Sequence, residues 1–230
     1  MPTHHTVPVG DEEVVAVHHE SEGDGWIFFS HGFVSDMSGY ERRSERAVDE
    51  GYDAVRFDHR GCGGSSRLFG EQTLTTRIED LCAVVDYFDA SSYVLFGSSF
   101  GGKVVLHASA AELDRANAAV VRAPVTYNAP MERYRNEGTA EAVADGFFDD
   151  LDRHGFSEVE ESLTVPVAFF HGREDDTVDV AYSFEAAVSV GSDAVVEVYE
   201  DEGHRFSDTA EERLLDRTFG WLSTVVDEAT

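Results

Sequence analysis

Lysine is all but missing from this chain: of 17 basic residues only Lys103 is a lysine, against 46 acidic residues and a net charge of −29. So acidic a molecule repels phosphate backbones, and nucleic acid is not expected as a partner. Cysteine is nearly absent too. Cys62 and Cys82 are too few for a disulfide framework or a cysteine-based zinc site, and both are expected to be free thiols in a reducing compartment. No apolar run approaches the roughly 18 residues that a membrane-spanning helix needs, so no membrane span is expected. Residues 1–6 lack a basic stretch followed by an apolar one. No signal peptide is therefore expected, and the location is expected to be cytoplasmic. Internal repeats, low-complexity tracts and linkers are missing as well, which leaves residues 1–230 as one expected domain.

What is present in excess is carboxylate, spread along the whole chain rather than gathered in a tail. A net charge of this size destabilises a compact state through self-repulsion in dilute buffer. At 1 M salt the Debye length falls to about 3 Å and most of that repulsion is screened. Abundant acid together with the loss of lysine points to a halophilic protein, adapted to a high-salt cytoplasm as in salt-loving archaea. A surface that binds cations or basic proteins is the competing explanation.

Short apolar strands alternate with helix-patterned stretches throughout. Strands are expected at 13–18, 26–30, 54–58, 93–96, 118–122, 167–170 and 194–198. Helices are expected at 38–50, 73–89, 99–111, 181–190 and 207–226. Apolar strands alternating with helices imply an α/β fold, a mostly parallel sheet covered on both faces. The first two expected strands are separated by only a few polar residues and read as an antiparallel entry. One segment breaks the rhythm. Between Pro124 and Pro166 there is helical character but no strand, with Met131, Tyr134, Phe147, Phe148, Leu151 and Phe156 as its apolar residues. An insertion over approximately 127–165 is the expected lid, with Tyr134, Phe147 and Phe148 as candidate substrate-binding residues.

The pentapeptide Gly97-Ser98-Ser99-Phe100-Gly101 sits between an apolar strand and a helix. That is the setting of a nucleophile elbow, where a serine occupies a sharp strand-to-helix turn and glycines leave room on either side. Alone, the motif is short enough to arise by chance. A serine nucleophile also needs a base and an orienting acid. His171-Gly172-Arg173-Glu174-Asp175-Asp176 follows the strand at 167–170, and Gly203-His204-Arg205-Phe206-Ser207 follows the strand at 194–198. The chain order is Ser, Asp, His, and all three loops open on the same edge of a parallel sheet. Ser98, Asp176 and Asp179 are the rivals, but only Ser99 has glycine at both flanking positions, and the Gly-x-x-Asp spacing from Gly172 favours Asp175.

Four blocks in order carry a resemblance over nearly the whole chain: Ser30-His31-Gly32-Phe33-Val34-Ser35-Asp36, then Arg56-Phe57-Asp58-His59-Arg60-Gly61-Cys62-Gly63-Gly64-Ser65, then the elbow, then the Asp and His loops. The chain resembles serine hydrolases of the α/β-hydrolase fold with a short helical lid. Its second and last blocks are similar to small acyl esterases and thioesterases, in the branch that includes the mammalian palmitoyl-protein thioesterase-like hydrolases. The resemblance implies Ser99 as nucleophile, His204 as base and Asp175 as orienting acid. It also implies the backbone N–H groups of Phe33 and Phe100 as an oxyanion hole.

The expected activity is hydrolysis of a small-molecule carboxylic ester or thioester through an acyl-enzyme, with neither a metal nor an organic cofactor. A serine peptidase of the proline-aminopeptidase type is the alternative, since it shares the triad; a non-catalytic hydrolase-like binding protein is another. His31 is expected to shape the oxyanion loop and His171 the neighbouring strand end, while Asp58, His59 and His107 read as structural. The pairs His4-His5 and His18-His19 are expected on a solvated surface, because adjacent strand residues point to opposite faces. The Gly61–Gly64 cluster lacks a Gly-Lys-Ser/Thr ending and is expected to be a tight turn.

Overall fold

The computed structural model describes residues 1–136 and 143–226. An eight-stranded sheet runs in the order β1-β2-β4-β3-β5-β6-β7-β8. Its strands are β1 (Thr3–Val9), β2 (Glu12–His19), β3 (Gly25–Ser30), β4 (Tyr52–Phe57), β5 (Tyr93–Ser98), β6 (Ala116–Arg122), β7 (Val167–Gly172) and β8 (Ala194–Tyr199). From β4 to β8 every pairing is parallel; β1 and β2 join antiparallel. The helices are α1 (Glu41–Asp49), α2 (Leu74–Phe88), α3 (Phe100–Ala111), α4 (Ala129–Asn136), α5 (Asp145–Leu151), α6 (Phe156–Ser162), α7 (Ala181–Ser189) and α8 (Asp208–Val225). This is the α/β-hydrolase fold.

Side-chain alternation along the strands builds two cores. Phe28, Leu95, Val121 and Phe169 point to one face and pack with α2, α3 and the helices of the insertion. Their neighbours Phe29, Phe96, Val120 and Phe170 point to the other, against Ala47 of α1 and Leu214 and Phe219 of α8. A strand buried on both faces needs apolar residues at consecutive positions, and the expected strands were visible for that reason. Chain direction along the sheet reverses where β3 lies between β4 and β5. Such a switch point opens a crevice at the carboxyl ends of the strands.

The sequence expectation needs three corrections. β1 was not foreseen, because its residues are mostly exposed and give no apolar run. The antiparallel entry is real in direction, but β2 pairs with β1 and β4, and β4 separates it from β3. The short link between β2 and β3 crosses the start of β4: Gly23 presses so closely on Gly51 that a side chain there would collide with the Gly51 carbonyl, and Gly25 N donates to Gly51 O at 3.3 Å. Finally, the histidines of β2 are not on a solvated surface. His18 stacks on Trp26 at a ring separation of 5.2 Å, and His19 is buried and accepts from Arg56 Nε at 3.4 Å.

Between β6 and β7 lie α4, α5 and α6 and, among the described residues, no strand; residues 137–142 of the expected insertion lie outside them. Met131, Phe147, Phe148, Leu151, Phe156 and Val159 are buried in the same core as α3. Asp58 has the structural role expected of it: one carboxylate oxygen accepts from Met37 N at 2.7 Å and the other from Gly64 N at 2.9 Å. It thereby joins two loops at the sheet edge. Cys62 and Cys82 are both free. Among the described residues, no helix is long and apolar enough to cross a membrane.

Gly101 packs against the end of β3, where an added Cβ would stand closer than 3 Å to the carbonyls of Ser30 and His31. Gly220, inside α8, has nothing within 4 Å of the same position. Gly101→Ala is expected to cost about 3 kcal/mol or more, a fall of about 10 °C in Tm. Gly220→Ala is expected to be neutral or to stabilise by about 0.5–1 kcal/mol. Thermal melts of the two variants beside the parent check the contrast.

Candidate active site

Ser99 stands at the turn from β5 into α3 with φ 55° and ψ −122°, a positive φ that L-residues adopt only when the surroundings enforce it. Here the enforcement is backbone on backbone. Gly97 lies against the Gly101 carbonyl, and Gly101 against the end of β3, with no room for a Cβ at either place. Ser99 N donates to Arg122 O at 2.9 Å, and Val125 N donates to Ser99 O at 3.1 Å. These bonds clamp the turn to the end of β6.

His204 reaches this serine from the loop after β8. Its Nδ1 donates to Asp175 Oδ2 at 2.8 Å, which leaves Nε2 to accept the Ser99 hydroxyl at 3.0 Å. Asp175 comes from the loop after β7, and its side chain is fully buried. Four donors converge on it: Thr177 N at 2.9 Å and Val178 N at 2.8 Å on Oδ1, with His204 Nδ1 and His171 Nε2 on Oδ2, the latter at 3.1 Å. Burial alone would raise the Asp175 pKa. The hydrogen bonds from His171, His204 and Val178 outweigh it and hold the carboxyl well below its ordinary range. The structure thus brings Ser99, His204 and Asp175 together. The rivals stay apart: Asp176 accepts from the Thr177 hydroxyl and Asp179 from Ala181 N, while Ser98 bonds Arg43 and Arg122.

His171 supports the acid from behind. Both partners of its Nε2, the Asp175 carboxylate and the Val178 carbonyl, are acceptors. The proton therefore sits on Nε2, and Nδ1 accepts from the Ser183 hydroxyl at 2.7 Å. The four-residue spacing from His171 to Asp175 was legible in the sequence, although this contact was not.

The loop after β3 lies over the serine: a Cβ on Gly32 would come within 3.5 Å of the Ser99 Cβ. His31 donates from Nδ1 to Gly32 O at 2.8 Å and accepts at Nε2 from His59 N at 3.1 Å. Burial pushes the His31 pKa well down, in keeping with a neutral ring that serves both bonds. Arg77, a fully buried residue of α2, had no sequence signal. It donates to His31 O at 3.3 Å, Gly32 O at 3.2 Å and Phe33 O at 2.9 Å. By holding these three carbonyls back towards α2, it fixes the peptide planes of the loop that carries the Phe33 N–H.

A cavity of about 880 Å³ opens beside Ser99 and His204, within the range of small-molecule sites. Phe33, Phe100, Met131 and Tyr134 form its apolar wall, and Arg43 and Arg122 its cationic side. Of the three candidate lid residues, Tyr134 faces the cavity. Phe147 and Phe148 stand behind the wall, buried, with Phe147 against Phe33 at 5.1 Å and Phe100 at 5.7 Å. Arg122 was missed by the sequence reasoning, as a lone arginine at a strand end carries no pattern. Its guanidinium donates to His204 O and, at 3.3 Å, to Ser98 Oγ; burial and the neighbouring Arg43 push its pKa down to about 10.

Comparison with known proteins agrees with this architecture. The family model Hydrolase_4, described as serine aminopeptidase, S33, matches residues 21–151. Palmitoyl-protein thioesterase ABHD10, mitochondrial, of Mus musculus is 28% identical over 232 residues, covering 87% of this chain and 77% of that protein. The bifunctional esterase/perhydrolase DCH of Acinetobacter calcoaceticus is 26% identical over 147 residues, 64% of this chain and 52% of that one. Among solved structures, Est1E from Butyrivibrio proteoclasticus with ferulic acid bound superposes with a TM-score of 0.84 at 18% identity, covering 97% of this chain and 99% of its own. Mouse alpha/beta hydrolase domain-containing protein 10 gives 0.80 at 21%, covering 99% and 100%.

The depressed Asp175 pKa sets a direction for stability against pH. Its contribution is complete above the unfolded value, about pH 4, and is lost as pH falls through the lower folded value. The stability difference between wild type and Asp175→Asn is therefore expected to narrow as pH falls from 7 to 2, measured by urea unfolding in high salt. A difference that stays constant over that range would contradict the assignment.

Proposed function

The chain belongs to the Hydrolase_4 family (serine aminopeptidase, S33), and from that premise we propose that it hydrolyses carboxylic esters or thioesters through an acyl-enzyme on Ser99. The observation that carries this reading is the continuous chain of hydrogen bonds from Ser99 Oγ through His204 to Asp175, opening into the cavity. His204 Nε2 takes the hydroxyl proton as Oγ attacks the acyl carbonyl. Asp175 keeps Nδ1 protonated and stabilises the imidazolium. The negative charge that develops on the carbonyl oxygen is assigned to the N–H groups of Phe33 and Phe100. His204 then protonates the leaving alcohol or thiol, and a water activated by the same nitrogen releases the acid.

Two observations favour acyl transfer to water over peptide cleavage. Palmitoyl-protein thioesterase and the bifunctional esterase/perhydrolase are among the relatives that match along the chain, and the charge on the cavity wall that is buried is the cation Arg43, with the half-buried Arg122 beside it. An aminopeptidase site holds a substrate ammonium, for which buried cations are the wrong sign. The family description keeps the peptidase reading as the competitor. Chemistry requires the full triad, and its presence in bonding geometry argues against a binding-only protein. The helices of 127–165, through Tyr134 and Met131 on the cavity wall, are read as a short lid that sets acyl preference. The surplus of carboxylate is read as adaptation to high salt.

In molar KCl, a fluorophosphonate probe is expected to label the wild type and not Ser99→Ala, whose turnover should fall by about 10⁴–10⁶. Wild type is expected to hydrolyse p-nitrophenyl esters or acyl thioesters well above amino-acid anilides; faster cleavage of the anilides overturns the choice in favour of a peptidase. Tm is expected to rise steeply between about 0.1 M and about 2 M KCl as self-repulsion is screened. A flat profile in a salt-dependent melt would remove the high-salt reading without touching the chemistry.

A further inference from the structure

Away from the Ser99 cavity, α3 meets the connection between α5 and α6. Three side chains gather there: His107 of α3, His154 from the turn and Glu158 of α6, each with one ligand-capable atom within 4.8 Å of the other two. His107 is 4% exposed, and its Nε2 is buried without a hydrogen-bond partner. Its ring meets that of His154 at 5.6 Å, edge to face. The His154 tautomer follows from its surroundings. Thr75 Oγ1 gives its proton to Asp150 Oδ1 at 2.7 Å, so it can only accept from His154 Nε2, 2.8 Å away. That leaves a lone pair on His154 Nδ1. No hydrogen bond or ion pair reaches the Glu158 carboxylate among the described residues, and it lies at the exposed end of the cluster.

We propose that His107, His154 and Glu158 form a binding site for a divalent cation of the zinc class, which staples the helical insertion to the helix that follows Ser99. Two imidazoles and one carboxylate are the donor set of zinc sites with three protein ligands and a water. The chain His154–Thr75–Asp150 supplies the outer hydrogen bonds that fix a metal-binding histidine's orientation and tautomer. Ligand atoms around a tetrahedral zinc lie roughly 3.3 Å apart. From the present separation the exposed Glu158 side chain closes on the two imidazoles by rotation. Lys103 is the nearby cation: its Nζ donates to Thr126 O at 3.1 Å, and Glu158 is the carboxylate that acts on it through charge. The site lies about 12 Å along α3 from Ser99 at the helical rise, so the metal is a staple and takes no part in the proposed hydrolysis.

The test uses the full chain, stripped with a chelator and dialysed into molar KCl so that the acidic surface is screened. ZnCl2 is then titrated, with elemental analysis for stoichiometry and Tm as a second readout. One Zn²⁺ per chain is expected, with a rise in Tm on saturation. His154→Ala and Glu158→Gln should each weaken zinc affinity at least about tenfold, while Glu161→Gln, an exposed acid on the same helix, should leave it unchanged. His107→Ala also removes core volume, so the decision rests on the two outer ligands. Co²⁺ in place of Zn²⁺ should give the intense visible absorption of a four-coordinate site, and lose it in Glu158→Gln. Absence of saturable binding in the wild type up to about 1 mM Zn²⁺, or equal affinity in wild type, His154→Ala and Glu158→Gln, overturns the proposal. Loss of esterase activity with zinc binding intact, or the reverse, separates its fate from that of the proposed hydrolysis.

Discussion

Gly101 rests on the carbonyls of Ser30 and His31, and most of what surrounds Ser99 follows from that contact. It presses the start of α3 onto the end of β3, which bends the chain at Ser99 into a conformation with φ 55°. The strain is local, but it is held by Gly97 on one side and by the bonds to Arg122 and Val125 on the other. Pressing α3 onto β3 also carries the loop after β3 to the serine, since Gly32 approaches the Ser99 Cβ. One packing contact thus sets both the exposure of the serine hydroxyl and the nearness of the loop assigned to the oxyanion. A side chain at position 101 would move both together.

The second organising element is a set of buried guanidiniums, each occupied with loop backbone or a neighbouring carboxylate. Arg77 binds three consecutive carbonyls of the loop after β3, together with Gln72 and Cys62. Arg60 joins Asp80 to Glu12 and Glu79. Arg43 pairs with Glu211 and reaches Ser98, and Arg122 holds the His204 carbonyl. A lysine offers one point charge and three donors on a flexible stem, whereas guanidinium offers five donors in a fixed fork. The fixed fork lets one arginine hold several acceptors in set directions, as Arg77 holds three consecutive carbonyls.

Legibility in the sequence followed physical cause. Strands buried on both faces announce themselves as continuous apolar runs, so β3 to β7 were visible, while β8, half-buried at the sheet edge, still carries the run Ala194-Val195-Val196. β1, exposed along most of its length, was not. Ser99, Asp175 and His204 were legible because each follows an apolar strand and the first is framed by glycines that its geometry requires. Arg77 and Arg122 were not, because a buried arginine has no periodic signature; its partners are backbone carbonyls, which every residue carries. The placement of β4 between β2 and β3 was hidden for a similar reason. It depends on a close crossing of Gly23 and Gly51, two unremarkable glycines far apart in the chain. The pair Phe147 and Phe148 illustrates the limit of reading aromatics as a binding wall, since Phe147 is buried against Phe33 and Phe100, and Phe148 against Phe147, as support for that wall.

Composition and site are linked through charge. The chain is strongly acidic, yet two of the cations beside the Ser99 cavity are withdrawn from solvent. Arg43 and Arg122 stand on the cavity side and Arg77 behind the loop after β3. Salt screens the exposed carboxylates at distances beyond a few ångströms, but it does not enter the core, so the buried cations keep their field while that of the surface is damped. In high salt the charges that remain unscreened near the serine are interior ones: Asp175, Arg43 paired to Glu211, and Arg122 bonded to the neutral Ser98 hydroxyl and His204 carbonyl. On the proposed mechanism, that field favours the negative charge that develops on the acyl oxygen. The same interior cations would persist in dilute buffer, but there the unscreened acidic shell opposes them and weakens the compact state that holds them in place. On the proposed high-salt reading, salt would act on fold and site through one variable, the balance between a screened shell and an unscreened interior.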